Sequence, residues 1–331
     1  MSRSWWQMIP IGAGWQPGWR LDGPALLFLI PVLVVSGVCA LAAPGYLRQP
    51  RYRDESGWRF GLAYAVFVAG MTGTVLAADL VLFLVCWEVM TLASYLLVAH
   101  ETRDAVVGRA AFKYFFMTHV GTGCLLLGFV WLGVIGGSFS MDHLAVTLRT
   151  MAAAHPAALH VVLALTFVGF ATKAGLYPFG DWLPDAHPAA PAPVSAVLSG
   201  VMVKLGLYGI LRVFVESLAG AAPHTAVVWG WVIGSFGVAS AIVGGAAACV
   251  AADAKVLLAY SSIAQSGFIA TGLGAALVLA PTRSGLAALA LLGAAFLVVG
   301  DAFVKALLFL DAGAVQWRTG SRRLEDLGGL F

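Results

Sequence analysis

The sequence predicts an all-α, polytopic membrane helix bundle, and three observations carry that prediction. Of the 331 residues, 60% are hydrophobic and only 11% are charged, which leaves too little polar surface to coat a soluble particle of this size. Apolar runs of about 20 residues, the length that crosses a hydrocarbon core of about 30 Å as a helix, recur along the whole chain. The basic residues gather in short clusters between those runs, as the sorting of positive loops to one side of a membrane requires.

The N-terminal segment MSRSWWQMIPIGAGWQPGW has an arginine but no apolar core followed by a small-residue cleavage site, so it does not read as a signal peptide. Its tryptophans, Trp5, Trp6, Trp15 and Trp19, are expected to form an interfacial belt. The apolar runs then fall at 24–44, 58–78, 80–99, 109–135, 158–177, 193–215, 225–250, 255–280 and 285–312, which gives about nine spans. The loop with Arg48, Arg51 and Arg53, the loop with Arg103 and Arg109, the turn with Lys255 and the tail with Arg318, Arg322 and Arg323 all fall on one side. The other side carries Arg149, Arg212 and Arg283, so the first is read as cytoplasmic and the N-terminus as external.

Two connections stand out. The stretch from 136 to 157 reads as an external loop with a short amphipathic helix. The stretch from 178 to 192, PFGDWLPDAHPAAPA, is too polar and proline-rich to continue a spanning helix, yet follows a span that already holds a lysine. A broken or re-entrant helix near 173–192 is expected there, because irregular backbone at membrane depth survives only inside protein or beside a wet cavity.

Composition excludes several functions. The net charge of +3 is spread over the loops and does not form a nucleic-acid surface. Cys39, Cys86, Cys124 and Cys249 lie singly in apolar runs, without the spacing of a disulfide framework, a zinc site or an iron–sulfur cluster. No His, Cys and carboxylate cluster, phosphate cradle or catalytic triad is apparent, so no cofactor or metal is expected.

The chemistry lies instead in ionisable residues at membrane depth. Glu88 sits in the middle of the third span, where insertion of a charge costs about 2.5–3.5 kcal/mol. Its bland reading is a protonated structural carboxyl. Lys173 precedes the break and Lys204 lies mid-span in VSAVLSGVMVKLGLYGIL. Desolvation disfavours a lone ammonium, so buried amines of this kind can load and release a proton near neutral pH. In the last span Asp301 and Lys305 stand four residues apart, share a helix face and are expected to pair, either to neutralise each other for insertion or as a relay. His119 and His187 are further candidates, although a lone histidine is more often a hydrogen-bonded packing residue. One carboxyl and three lysines on different helices look more like a chain of exchangeable proton sites than a substrate pocket.

The segments CWEVMTLASYLL, KAGLYPFGDWLPDAHPAAPAPVSAVLSGVMVKLGLYGILR, LLAYSSIAQSGF and DAFVKALLFLDAGAV carry a resemblance to the antiporter-like subunits of respiratory complex I, membrane-bound hydrogenases and multi-subunit sodium/proton antiporters. The resemblance runs from about residue 21 to RRLEDLGGL, and the WLPDAHPAAP stretch is most similar to the hydrogenase-4 component B or formate hydrogenlyase subunit 3 branch. It implies two inverted repeats of five helices, each with a lysine-bearing broken helix, and a polar axis for protons at mid-membrane. It further implies that Glu88 pairs with Lys173, that Lys204 is the connecting lysine and that Lys305 is the lysine of the family's H-A-F-x-K-A-L-L-F motif. Implied partners are other antiporter-like membrane subunits and a peripheral redox module, in the inner (cytoplasmic) membrane.

This chain departs from the family pattern at Asp301, where the family has His, and at Thr122, where some complex I members have an acid. Family members also begin with two further spans and continue past RRLEDLGGL. Residues 1–331 therefore read as one proton-conducting domain with a complete first repeat and a truncated second, a fragment or one half of a split subunit. Three other readings stand beside the redox-linked one: a cation/proton antiporter subunit without a redox partner, the membrane component of an inorganic-carbon uptake system, and a structural remnant made inert by the truncated second repeat.

Overall fold

A computed structural model describes residues 18–101 and 103–328. The chain runs as α1 (Gly23–Tyr46), α2 (Gly57–Leu76), α3 (Leu80–Val98), α4 (Ala105–Gly136), α5 (Leu144–Ala154), α6 (Pro156–Ala174), α7 (Leu183–Ala189), α8 (Ala192–Ala221), α9 (Pro223–Cys249), α10 (Ala254–Leu279) and α11 (Ser284–Thr319). Among the described residues nine of these helices, all but α5 and α7, are long and apolar enough to cross a membrane, and there is no β-strand. The polytopic bundle is thus as expected, with α5 as the short helix of the 136–157 connection.

Local chemistry sets most boundaries. Asp22, Asp79, Asp104 and Asp253 cap α1, α3, α4 and α10, each carboxylate accepting from backbone N–H groups that the first turn leaves free. The Asp104 cap starts α4 four residues before the predicted 109, and Gly137 at φ 63° ends it. Pro156 and Pro223 open α6 and α9, where a missing N–H costs nothing. The ninth span extends past the predicted 312 to Thr319, ended by Gly320 at φ 77°.

The predicted interruption is present. Gly175 at φ 72° turns the chain out of α6 at once, so the span stops at Ala174 and not at 177. Gly180 then packs on the Gly175 carbonyl so closely that a Cβ would lie 2.2 Å from its oxygen. The Trp182 indole donates to the Thr172 carbonyl at 2.9 Å, satisfying a group that the break sets free. After α7 the chain re-enters as α8, which is almost wholly enclosed by the other helices. Two π-helical stretches, Leu198–Met202 and Leu211–Leu218, lie within α8 and carry its helical run beyond the predicted 215 to Ala221.

At each end of the bundle, ion pairs join the loops. Arg51 binds Glu101, Arg103 binds Asp54, Lys113 binds Asp181 and Asp185, and Arg322 binds Asp253, which places the Arg-rich loops together. At the opposite end Arg212 grips Asp22 with two bonds of 2.6 and 2.8 Å and reaches Glu216 at 2.7 Å. Arg20 joins this cluster through Asp22 at 2.9 Å and Asp142 at 2.8 Å. Trp19 lies exposed at that end, as a belt residue would, whereas Trp5, Trp6 and Trp15 fall outside the described residues.

The Arg212 guanidinium beside Asp22 holds that carboxyl down at about 2, against the opposing effect of burial. A lowered folded pKa means that the contribution of Asp22 to stability is complete above about pH 4 and is lost as pH falls toward that lowered value. Asp22→Asn is expected to destabilise the detergent-solubilised protein by about 1–3 kcal/mol at pH 7, and the deficit should disappear in thermal unfolding series carried to acid pH.

Candidate proton-transfer site

Six helices, α3, α4, α6, α8, α10 and α11, bring the membrane-depth residues into a series of buried polar groups. On α6, Lys173 is 1% exposed. Its ammonium donates to Thr91 Oγ1 at 2.9 Å and to the Tyr114 hydroxyl at 3.3 Å, and lies 5.7 Å from the centre of the Trp87 ring. Tyr114 in turn shares a 2.6 Å hydrogen bond with Ser94 and reaches Met202 Sδ on α8 at 3.6 Å. Tyr114 is thus a bridge from the α6 amine to the enclosed helix.

On α8 the π-helical stretch opens the backbone beside Lys204. The Ser199 carbonyl accepts from the Lys204 ammonium at 2.6 Å, while the Ser199 and Ser262 hydroxyls meet at 2.6 Å. Gly200 lets α8 approach α11 until a Cβ there would be 2.9 Å from the Ala302 carbonyl oxygen. That approach presents Asp301 to Lys204, and the two form a buried ion pair of 2.5 Å.

Here the structure corrects two expectations. Asp301 does not clamp Lys305; its carboxylate faces α8 and takes Lys204, while the Lys305 ammonium turns to α10 and donates to Ser261. A shared helix face permits an i,i+4 pair but does not compel one when neighbouring helices offer partners on both sides. Nor does Glu88 pair with Lys173. Glu88 follows Trp87 directly and so lies about 100° around α3 from the buried Trp87–Thr91 face, at the rim of the bundle, and its ion pair of 3.3 Å is with His119. Lys173 still feels the Glu88 charge electrostatically. Thr122 folds back onto the Thr118 carbonyl of its own helix at 3.1 Å.

His187, on α7, is fully buried with neither ring nitrogen hydrogen-bonded. It stacks on Phe309 of α11 at 4.7 Å between ring centres, and Lys204, Lys255 and Lys305 are all near enough to act on it electrostatically. Lys255 is a buried amine that the sequence reading assigned to a turn. It is 1% exposed and donates to the Ala190 carbonyl at 2.8 Å, beside Arg322, which donates to the Pro188 carbonyl at 2.5 Å. The signal was available, since Lys255 opens the predicted 255–280 span. Thr91, Tyr114, Ser199, Ser261 and Ser262 also went unremarked, because a hydroxyl in an apolar run has no charge to make it conspicuous.

The sequence model of the NADH:quinone oxidoreductase/Mrp antiporter transmembrane family matches residues 77–331. Hydrogenase-4 component B of Escherichia coli is 33% identical over 313 residues, covering 94% of this chain and 45% of that protein. The fold is similar to a chain in the Mrp complex of a Dietzia species, with a TM-score of 0.76 and 31% identity over 91% of this chain and 31% of that one. It is also similar to a chain of the membrane-bound sulfane sulfur reductase, an archaeal respiratory membrane complex, with a TM-score of 0.79 and 27% identity over 98% and 52% of the two chains. The chain spans about half the length of the relatives it matches.

The partner of Asp301 can be measured. In double-mutant cycles followed by thermal unfolding, Lys204→Met alone should cost about 3–5 kcal/mol by stranding a buried carboxylate, and Lys204→Met with Asp301→Leu should recover most of it. The 301–305 cycle should show the smaller coupling.

Proposed function

The chain belongs to the NADH:quinone oxidoreductase/Mrp antiporter transmembrane family, and from that membership and the polar chain at membrane depth we propose that it is a proton-translocating subunit of a redox-driven membrane complex. The observation that carries the reading is the succession of buried amines, each held by oxygens from other helices: Lys173 with Thr91 and Tyr114, Lys204 with Asp301, and Lys305 with Ser261. Residues that only anchored helices would not need to be exchangeable amines placed one after another across the bundle.

In this reading the residues hold and pass protons. Lys173 takes a proton under the influence of the Glu88 charge, and Glu88 is held at the rim by its contact with His119. Tyr114 and the serine pair Ser199–Ser262 connect it toward Lys204. Asp301 stabilises the ammonium of Lys204, and its position four residues from Lys305 lets it exchange one amine for the other with a change of side-chain rotamer. A proton arriving at Lys305 would draw Asp301 away and leave the Lys204 ammonium without its counter-ion in hydrocarbon, which favours proton release. The aspartate thereby acts at the position where the resembling family motif has a histidine. His187, unpartnered among three lysines, is placed to relay between them.

The electron-transfer chemistry belongs to a peripheral partner of the hydrogenase or NADH–quinone oxidoreductase kind, and the neighbours in the membrane are other antiporter-like subunits. The rim position of the Glu88–His119 pair, about one-third exposed at membrane depth, supports such a neighbour, since lipid is a poor cover for an ion pair. We place the chain in the inner membrane with the Arg-rich end toward the cytoplasm, and treat it as a single proton-conducting domain. The similarity to the Mrp complex favours a second reading, cation/proton exchange without a redox partner; sodium-dependent proton flux in the absence of electron donor is its discriminating property.

In the intact complex reconstituted into vesicles, Glu88→Gln and Lys173→Ala should each lower substrate-driven proton uptake by about tenfold or more while the subunit still assembles. Normal pumping by both variants, measured with a pH-sensitive dye, rules out the assignment.

A further inference from the structure

A cavity of about 190 Å³ opens at the end of the bundle opposite the Arg-rich loops. Its mouth is charged, with Arg20, Asp142 and Glu216, and its inner wall carries the buried Arg212. At about 30 Å³ per molecule it holds about six waters, and its lining offers them hydrogen-bond partners. The inner end is apolar and aromatic: Phe83, Phe129 and Phe170. These three rings stand 5.8–6.1 Å from one another between centres, so they form one closed triangle.

Directly behind that triangle lies the amine of the proposed proton path. Trp87 packs on Phe83 at 5.4 Å and on Phe170 at 5.9 Å, and the Lys173 ammonium lies 5.7 Å from the centre of the Trp87 ring. Phe170 is held in place by α8, where Gly209 leaves room that nothing larger could: a Cβ there would lie 2.1 Å from the ring. A polar vestibule thus approaches Lys173 and is stopped by two layers of aromatic rings, the phenylalanine triangle and then Trp87.

We propose that this cavity is the external access vestibule of the subunit and that Phe83, Phe129 and Phe170, backed by Trp87, form a hydrophobic gate between external water and Lys173. Protons travel along hydrogen-bonded water, and an aromatic layer contains none, so the closed rings interrupt the path without any charged barrier. Metal cations are excluded more strongly, because they would have to shed their hydration shell at the same layer. Around the mouth Arg20 and Arg212 face Asp22, Asp142 and Glu216, two positive groups against three negative ones, so the vestibule presents no net positive charge that would repel protons.

The inference rests on the proton-transport reading for its purpose, but its geometry can be tested without any transport measurement. In the intact complex, in membrane vesicles and with Cys39, Cys86, Cys124 and Cys249 replaced, a small impermeant methanethiosulfonate is applied to each side in turn. Ala145→Cys, on the vestibule wall, should react from one side only, and Thr91→Cys, at the Lys173 ammonium, should not react from that side. Adding Phe170→Ala, or independently Phe129→Ala, should make Thr91→Cys react about tenfold faster or more from the vestibule side. An unreactive Ala145→Cys removes the vestibule. A Thr91→Cys that reacts with all rings in place, or stays unreactive in both alanine backgrounds of correctly assembled complex, removes the gate. Because labelling reports access and not pumping, these outcomes stand apart from the result for Glu88→Gln and Lys173→Ala.

Discussion

Hydrocarbon offers no hydrogen-bond partner, so each lysine that this chain carries into the bundle has to find an oxygen supplied from within the protein. That constraint accounts for much of the architecture. Lys173 takes hydroxyls from α3 and α4, Lys204 a carboxylate from α11 and a carbonyl of its own helix, Lys305 a hydroxyl from α10, and Lys255 a carbonyl at the end of α7. Each amine therefore ties two or more helices together. Losing any one contact leaves a buried donor unsatisfied, which is costlier than never having buried it.

The backbone is bent to the same end. Regular α-helix engages its own carbonyls, leaving a second lone pair mainly to hydroxyls of the same helix, so oxygens open to groups from elsewhere chiefly where the helix is interrupted or widened. The interruption after Gly175 exposes the Thr172, Pro188 and Ala190 carbonyls, which are met by Trp182, Arg322 and Lys255. The π-helical turn at Leu198–Met202 does the same for Ser199 and Lys204. Irregularity and buried charge are thus one feature seen from two sides, and both are concentrated around α8, the helix most enclosed by its neighbours.

Close helix approach supplies the third requirement. Gly200 brings α8 onto α11, and Gly206 and Gly209 bring it onto α6, where added Cβ atoms would fall between 2.1 and 2.9 Å from neighbouring atoms. In a membrane, where apolar burial drives helix association weakly, such small-residue contacts are a main source of packing energy. The same contacts set the register in which Asp301 meets Lys204 and in which the Phe170 ring closes above Lys173. Packing and the proposed proton path are consequently specified by the same few glycines.

The helices, and the residues that carry charge among them, are written in local sequence. Apolar runs of spanning length, aspartate caps and helix-opening prolines are local signals, and Glu88, Lys173, Lys204, Asp301 and Lys305 are conspicuous because charges at membrane depth are costly enough to stand out in any reading of composition. The break around 178–192 was legible for the same reason, since proline and polar residues cannot continue a lipid-facing helix. Which residue faces which is set by the packing of the helices. Spacing of four residues made Asp301 and Lys305 natural partners, and the family resemblance offered Glu88 to Lys173, yet helix rotation and the approach of α8 to α11 gave Asp301 to Lys204 and Glu88 to His119. Hydroxyls such as Thr91, Tyr114 and Ser261, and the amine of Lys255, joined the network only through contacts between helices far apart in sequence. Pairing across a bundle depends on rotation and depth of each helix, and those are fixed by packing against neighbours, which no local pattern encodes.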